Sequence, residues 1–164
     1  MSQYRGVRYR VEPSPLGDLL LVGDGETLSA LLLPGAEPKP EWVRDQRAFA
    51  QVSAQLRAYF AGELRTFDVS LAPVGTPFQQ RVWSALREIP YGATVSYGEL
   101  AARLGQPTAS RAVGLANGRN PIAIIVPCHR VIGANGTLVG YGGGLDRKRW
   151  LLEFEAGARR LPGC

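Results

Sequence analysis

Pro127-Cys128-His129-Arg130-Val131-Ile132 holds one of the two cysteines and the only histidine among 164 residues. A thiol beside an imidazole suggests nucleophilic chemistry. The thiolate is the reactive form, and an unperturbed thiol ionises only near pH ~8.5. A neighbouring base or cation activates it. The run before it, Ile122-Ala123-Ile124-Ile125-Val126, is apolar and fenced by Pro121 and Pro127. That pattern predicts a buried strand or extended segment with Cys128 at its end. Gly133-Ala134-Asn135-Gly136 beyond it is a turn signal. By itself the Cys-His pair fits a buried structural cysteine equally well, because a free Cys packs as a small hydrophobe. The rest of the chain decides between the two.

The length allows one or two small domains. An apolar content of 45% with 20% charged residues belongs to a soluble globular protein. No apolar run approaches the roughly 20 residues of a membrane span, so no membrane association is expected. The N-terminal residues lead into no hydrophobic signal core, which predicts a cytoplasmic protein. Cys128 and Cys164 make no disulfide framework, and both thiols are expected to be free. One histidine and two cysteines are too few for an ordinary zinc site, so no metal is expected. Charge divides unevenly. Residues 1–75 carry eight Lys and Arg against nine Asp and Glu, whereas residues 76–164 carry eleven against five. The basic half is the half with the Cys-His pair, which favours a polyanionic partner there.

In the first half, residues 7–11, 18–22 and 27–33 read as three short strands, broken by prolines and by Gly23-Asp24-Gly25. They predict an antiparallel meander. Residues 34–40 form a loop. Residues 41–62 are expected to be helical, with Phe49, Val52, Leu56, Tyr59 and Phe60 as the buried stripe and Gly62 as the stop. Residues 67–71 alternate like a strand. Pro73-Val74-Gly75 reads as a linker, which predicts a scaffold domain over 1–75 and a functional domain over 76–164.

The second half reads as mainly helical. Thr76-Pro77 opens a helix with Thr76 as N-cap and Pro77 in the first turn. Phe78, Val82, Trp83 and Leu86 form its buried face. Ser96 and Glu99 form a capping box for a short helix over 97–104. A turn at Gly105-Gln106-Pro107 leads to another short helix over 108–117, the pattern of a helix-turn-helix. The second of these helices carries small residues, with Arg111 among them. Small side chains serve either close helix packing or close approach to a partner, and both readings stand at this point. Gly140-Tyr141-Gly142-Gly143-Gly144 is a loop able to line a pocket, without the lysine of a phosphate loop. A last helix runs over 146–155.

Phe78-Gln79-Gln80-Arg81-Val82-Trp83, Ile89-Pro90-Tyr91-Gly92, Ser96-Tyr97-Gly98-Glu99-Leu100-Ala101, Ser110-Arg111-Ala112-Val113-Gly114, Asn120-Pro121 and Pro127-Cys128-His129-Arg130-Val131-Ile132 occur in one order. That series resembles the methylated-DNA–protein-cysteine methyltransferases, also called O6-alkylguanine-DNA alkyltransferases. The likeness is close over about residues 76–157 and looser before them, through the Ser14-Pro15-Leu16-Gly17 turn and the strand pattern. The resemblance implies an α/β protein. Its N-terminal part would be a small antiparallel sheet with a helix, of ribonuclease H-like type. Its C-terminal part would be mainly helical with a helix-turn-helix.

It also implies an activity. Such proteins move an alkyl group from O6 of guanine, and in some cases O4 of thymine, onto their own cysteine, once and without a cofactor. Cys128 matches the acceptor. His129 matches a base that acts through a water. Glu155 matches the carboxylate that orients the imidazole, in Ser-His-Asp logic with a thiol. Glu153 lies about 200° away from Glu155 around a helix axis and would be a solvated charge. Asn120 matches the brace of the active-site turn, and Tyr97 a donor to the lesion base that also presses on a DNA phosphate. Arg111 matches the finger that fills the gap of an extruded base. Ala109, Ser110, Ala112, Gly114 and Arg119 would meet DNA, with Val113 also slimming the helix for a minor groove. Val126, Pro127, Val131, Tyr141, Gly142 and Gly143 would wall the base pocket. Gly142 stands where some members carry a serine, which leaves more room. The zinc ligands found in the first domain of some relatives are missing. The implied partner is double-stranded DNA containing O6-alkylguanine, met by a monomer.

Other readings fit less of the chain. A sensor on the same fold that binds alkylated bases without repair lacks the cysteine. A helix-turn-helix regulator leaves Cys128, His129 and Tyr97 unexplained. A cysteine hydrolase leaves the small-residue helix idle.

Overall fold

The computed structural model describes residues 6–138, 141 and 144–157. The protein is α/β and divides into two compact units, Met1–Val74 and Gly75–Cys164.

The first unit is a four-stranded sheet with one helix. β1 (Arg8–Glu12), β2 (Leu19–Gly23) and β3 (Leu28–Leu32) form an antiparallel meander. Val11 pairs with Leu20, and Leu21 with Leu31. Leu19, Leu21, Leu28 and Leu31 are fully or nearly fully buried. β4 (Val43–Arg44) joins the other edge of β1 in parallel, so the strand order is β3-β2-β1-β4. This corrects the expected helix start at residue 41, because α1 runs only over Ala50–Phe60. Backbone pairing wins over the apparent helical spacing. Val43 N–H donates to Val7 O at 2.9 Å and Asp45 N–H to Tyr9 O at 2.8 Å. Val52, Leu56, Tyr59 and Phe60 are the buried residues of α1. Gly62, at φ 78°, ends it where a left-handed residue is needed. The expected strand over 67–71 is likewise corrected. It makes a single parallel bridge, Leu28 to Leu71, while Gln55 holds both backbone groups of Asp68.

The second unit begins with α2 (Pro77–Leu86), started by a capping box from Thr76 and Gln79. A side-chain cap of this type contributes about 1 kcal/mol. α3 (Tyr97–Arg103) has the same device from Ser96 and Glu99, and α4 (Ser110–Gly118) follows after the turn. Trp83 Nε1 donates to Ala116 O at 2.9 Å in the core, which ties α2 to α4. β5 (Val95–Ser96) and β6 (Val131–Ile132) form a short parallel pair. That pair places the N-terminus of α3 beside the segment that follows Cys128. α5 (Leu145–Glu155) closes the unit.

The segment over 122–126 is not a strand. It is a series of turns, with Ile125 N–H donating to Ala123 O at 2.8 Å and Val126 N–H to Ile122 O at 3.1 Å. Ile124 has φ 72°, a left-handed conformation that costs a β-branched residue about 1–2 kcal/mol. Residues 122–131 are buried throughout, so the apolar run encodes burial without a sheet partner. A single 3-10 turn over Cys128–Arg130 follows.

Candidate functional site

Asn120 pins the buried turn. Its Oδ1 accepts from Ile122 N–H at 3.0 Å, and its Nδ2 donates to Val126 O at 2.7 Å and Ile122 O at 3.4 Å. Both ends of the loop are thereby fixed on one side chain, which holds Ile124 in its strained conformation. Cys128 emerges two residues later, only 6% exposed. Burial pushes its thiol pKa up, while a hydrogen bond from Asn120 and the charge of Lys148 pull it down.

His129 is completely buried. Its Nε2 lies 2.9 Å from Glu155 Oε2. Glu155 also receives both prongs of Arg130, Nε to Oε1 at 2.8 Å and Nη2 to Oε2 at 2.9 Å. The third guanidinium nitrogen, Nη1, donates to Ile89 O at 2.7 Å. Burial alone would raise the Glu155 pKa, but the bonds from His129 and Arg130 outweigh it and hold the carboxylate ionised well below its usual range. A carboxylate at Nε2 fixes the proton of neutral imidazole there. That leaves Nδ1 with a bare lone pair, and it has no partner among the described residues. Burial lowers the His129 pKa, against the pull of Glu155. The neutral, proton-accepting form is therefore the resting one.

On α5, Lys148, Leu151 and Glu155 recur at helical spacing on one buried face. Lys148 Nζ sits 5.9 Å from the centre of the Tyr97 ring. Burial lowers the Lys148 pKa and the charge of Cys128 raises it. Tyr97, the first residue of α3, is half-buried; burial and then the Cys128 charge raise its pKa, against a hydrogen bond from Asn117. Tyr141 has a buried hydroxyl without a partner among the described residues, and burial first, then the Cys128 charge, hold its pKa high.

The fold thus brings Cys128, His129, Glu155, Asn120 and Tyr97 into one connected cluster. Val126, Pro127 and Val131 are buried beside the thiol in sequence. Gly142 and Gly143, and also Cys164, lie outside the described residues. Glu153 is half-exposed, in contrast to Glu155. On α4, Ser110, Arg111 and Ala112 are exposed, as is Arg119 just past its end, while Ala109 and Gly114 are half-buried. Val113 does not belong to that face. It is 0% exposed and packs inward with Ala116.

Four residues of the cluster and its surface escaped the sequence reading. Arg130 was visible as a motif position, but its clamp on Glu155 spans 25 residues. Lys148 and Asn117 look like ordinary helix residues until burial is known. Leu115, 65% exposed, lies one turn from both Arg111 and Arg119, and an isolated apolar residue in a helix carries no such signal.

Among the described residues, no group of three His, Cys, Asp or Glu side chains could hold a metal ion. No described helix is long and apolar enough to cross a membrane.

Two family models match the chain in turn. Residues 7–73 match the ribonuclease-like domain of 6-O-methylguanine DNA methyltransferase, and residues 77–157 match its DNA binding domain. The chain is 58% identical over 151 residues to a methylated-DNA–protein-cysteine methyltransferase of Methanosarcina acetivorans, covering 90% of this chain and 97% of that one. It is 59% identical over 152 residues to the protein of that name from Mycobacterium tuberculosis, covering 91% and 92%. Among solved structures, the crystal structure of Mycobacterium tuberculosis OGT in complex with DNA superposes with a TM-score of 0.89. The identity there is 57%, over 93% of this chain and 95% of that one.

Proposed function

This chain belongs to the 6-O-methylguanine DNA methyltransferase family, and on that premise we propose that Cys128 takes an alkyl group from O6 of guanine in double-stranded DNA and keeps it. The observation that carries the reading is the open nitrogen of His129. A buried imidazole is anchored at Nε2 on Glu155, and its unpartnered Nδ1 belongs to the residue next to a buried thiol.

Consecutive side chains in a 3-10 turn point about 120° apart, so His129 reaches the thiol indirectly. A single water between Nδ1 and the thiol relays the proton. The imidazolium that forms is stabilised by Glu155, which Arg130 keeps ionised and correctly turned. Lys148 and Asn120 favour the thiolate against the cost of burial. The thiolate sulfur then attacks the alkyl carbon. The S–C bond forms as the C–O6 bond breaks, and the electron pair of the broken bond stays with guanine. Tyr97 donates to the base as that charge builds, and the proton lost by the thiol balances the one that restores neutral guanine. A thioether is a poor leaving group, so each protein acts once.

The target carbon is unreachable inside the stack, so the nucleotide must be flipped out at a cost of a few kcal/mol. Arg111, exposed near the start of α4, fills the vacated space. Ala109, Ser110, Ala112, Gly114 and Arg119 meet the backbone and groove edges. A helix with ordinary side chains is about 10–12 Å across, against a minor groove only about 6 Å wide. Small residues on this face reduce that mismatch. Val126, Pro127, Val131, Tyr141, Gly142 and Gly143 wall the pocket, and Gly142 leaves space for groups larger than methyl. The protein acts as a monomer in the cytoplasm, with no cofactor.

The reading predicts a stoichiometric reaction. With duplex DNA carrying O6-methylguanine in excess, repaired lesion should rise to one equivalent per protein and stop. Continued product formation beyond one equivalent would overturn it.

A further inference from the structure

Asn117 is a polar residue in the core of α4, 2% exposed, with no part in the chemistry described above. Its neighbours are the two reacting groups. Nδ2 donates to Cys128 O at 3.4 Å, a long bond. The same side chain hydrogen-bonds the Tyr97 phenol. Gly114, one turn earlier on the same face, has its Cβ position 3.6 Å from the Tyr97 ring, so this face of α4 lies against that ring. Asn117 Oδ1 has no partner among the described residues. The bond to Tyr97 therefore runs through the second proton of Nδ2, and the phenol oxygen is the acceptor.

That polarity matters. A phenol whose oxygen accepts one hydrogen bond has its own O–H free to donate elsewhere. Charge that builds on the oxygen as the O–H is drawn toward an acceptor is stabilised by the Asn117 donor. Burying an amide with one oxygen unsatisfied costs about 1–3 kcal/mol, which a purely packing role would avoid with leucine.

We propose that Asn117 is a positioning residue for the transfer step, holding the Tyr97 hydroxyl with its proton directed at the flipped base and tying that hydroxyl to the backbone of Cys128. The inference rests on the alkyl-transfer reading. Wild-type protein run alongside separates the two, because a wild type that transfers nothing defeats that reading and not the coupling itself.

The test is a double-mutant cycle on single-turnover transfer from duplex DNA carrying O6-methylguanine. Asn117→Leu keeps the volume and removes the hydrogen bonds. It should slow transfer about tenfold in the Tyr97 background, the size of one polarised hydrogen bond. In the Tyr97→Phe background it should slow transfer less than about twofold, since the shared partner is gone. Loss of the bond to Cys128 O acts in both backgrounds and cancels. Asn117→Asp, of the same shape but accepting only, should move the Tyr97 phenol titration upward by ultraviolet absorbance. Should Asn117→Leu fail to fold, Asn117→Ser, which keeps a donor, takes its place and should fall between wild type and Asn117→Asp in rate. Equal slowing in both backgrounds, or a Tyr97 titration unmoved by Asn117→Asp, would overturn the proposal.

Discussion

Glu12 in the first unit and Glu155 in the second are both buried carboxylates gripped by arginine. Glu12 is 1% exposed and Glu155 6%. Ser53 Oγ donates to Glu12 at 2.6 Å, and Arg10 and Arg57 each lie 3.3 Å from it. Glu155 has Arg130 and His129. The difference lies in what the partners leave open. The partners of Glu12 are a hydroxyl and two guanidiniums, none of which accepts a proton at neutral pH. One partner of Glu155 is an imidazole with a free lone pair, and the residue before it is a thiol. A buried ion pair is by itself weak evidence of function; the unsatisfied nitrogen is what separates a clamp from a site.

The contrast can be broken most sharply at the thiol. Cys128→Ala should abolish transfer while duplex binding persists, measured by gel shift and repair on the same DNA. At the carboxylates, Glu155→Gln should slow transfer about a hundredfold or more, by loss of imidazole orientation. It should also destabilise the fold by about 3–5 kcal/mol, because Arg130 is left buried without its partner charge. Glu12→Gln should cost stability of the same order in urea unfolding, yet leave the rate constant of the folded fraction unchanged. A slowed Glu12→Gln reaction would erase the distinction between the two clusters.

A smaller effect sharpens the contrast at the surface. Arg8 in the first unit is paired with Asp45 at 3.0 Å, whereas Arg111 stands exposed at the start of α4. Arg111→Ala should slow transfer from duplex about tenfold and leave reaction with free O6-benzylguanine unaltered, since a free base needs no flipping. Arg8→Ala should change neither. Equal losses on duplex and free base would remove Arg111 from the flipping step.

The smallest effect is on pH. Burial lowers the His129 pKa in the folded protein below the unfolded value of about 6.5. The unfolded state then binds more protons as pH drops through that window, so stability falls on acidification. Glu155, with its folded pKa also lowered, adds a loss of the same sign below about pH 4.5. Urea unfolding should show about 1 kcal/mol less stability at pH 5 than at pH 7. That slope should flatten in His129→Gln, and an unchanged slope would assign it to another group.

What the sequence disclosed depends on how local the signal is. Thr76-Pro77 and Ser96 with Glu99 are legible because a cap lies within three residues of what it caps. β4 is illegible because Val43 becomes a strand residue only through Val7 and Tyr9. The 122–126 run misleads because apolar content reports burial, whereas Asn120 and the left-handed Ile124 decide shape. At the site, Cys128 and His129 announce themselves through rarity. Glu155, Asn120, Tyr97 and Arg111 came through family resemblance. The Arg130 clamp, buried Lys148 and Asn117 arise from contacts the linear chain does not display.

The central claim is that one buried thiol accepts the alkyl group. Its most direct test is the mass of the intact protein, followed by peptide mapping, after reaction with duplex DNA carrying O6-methylguanine. The account predicts a single added methylene, located on the peptide containing Cys128, with the lesion converted to guanine in equal amount. An unmodified Cys128 beside repaired DNA, or a methyl group found on another residue, would contradict it.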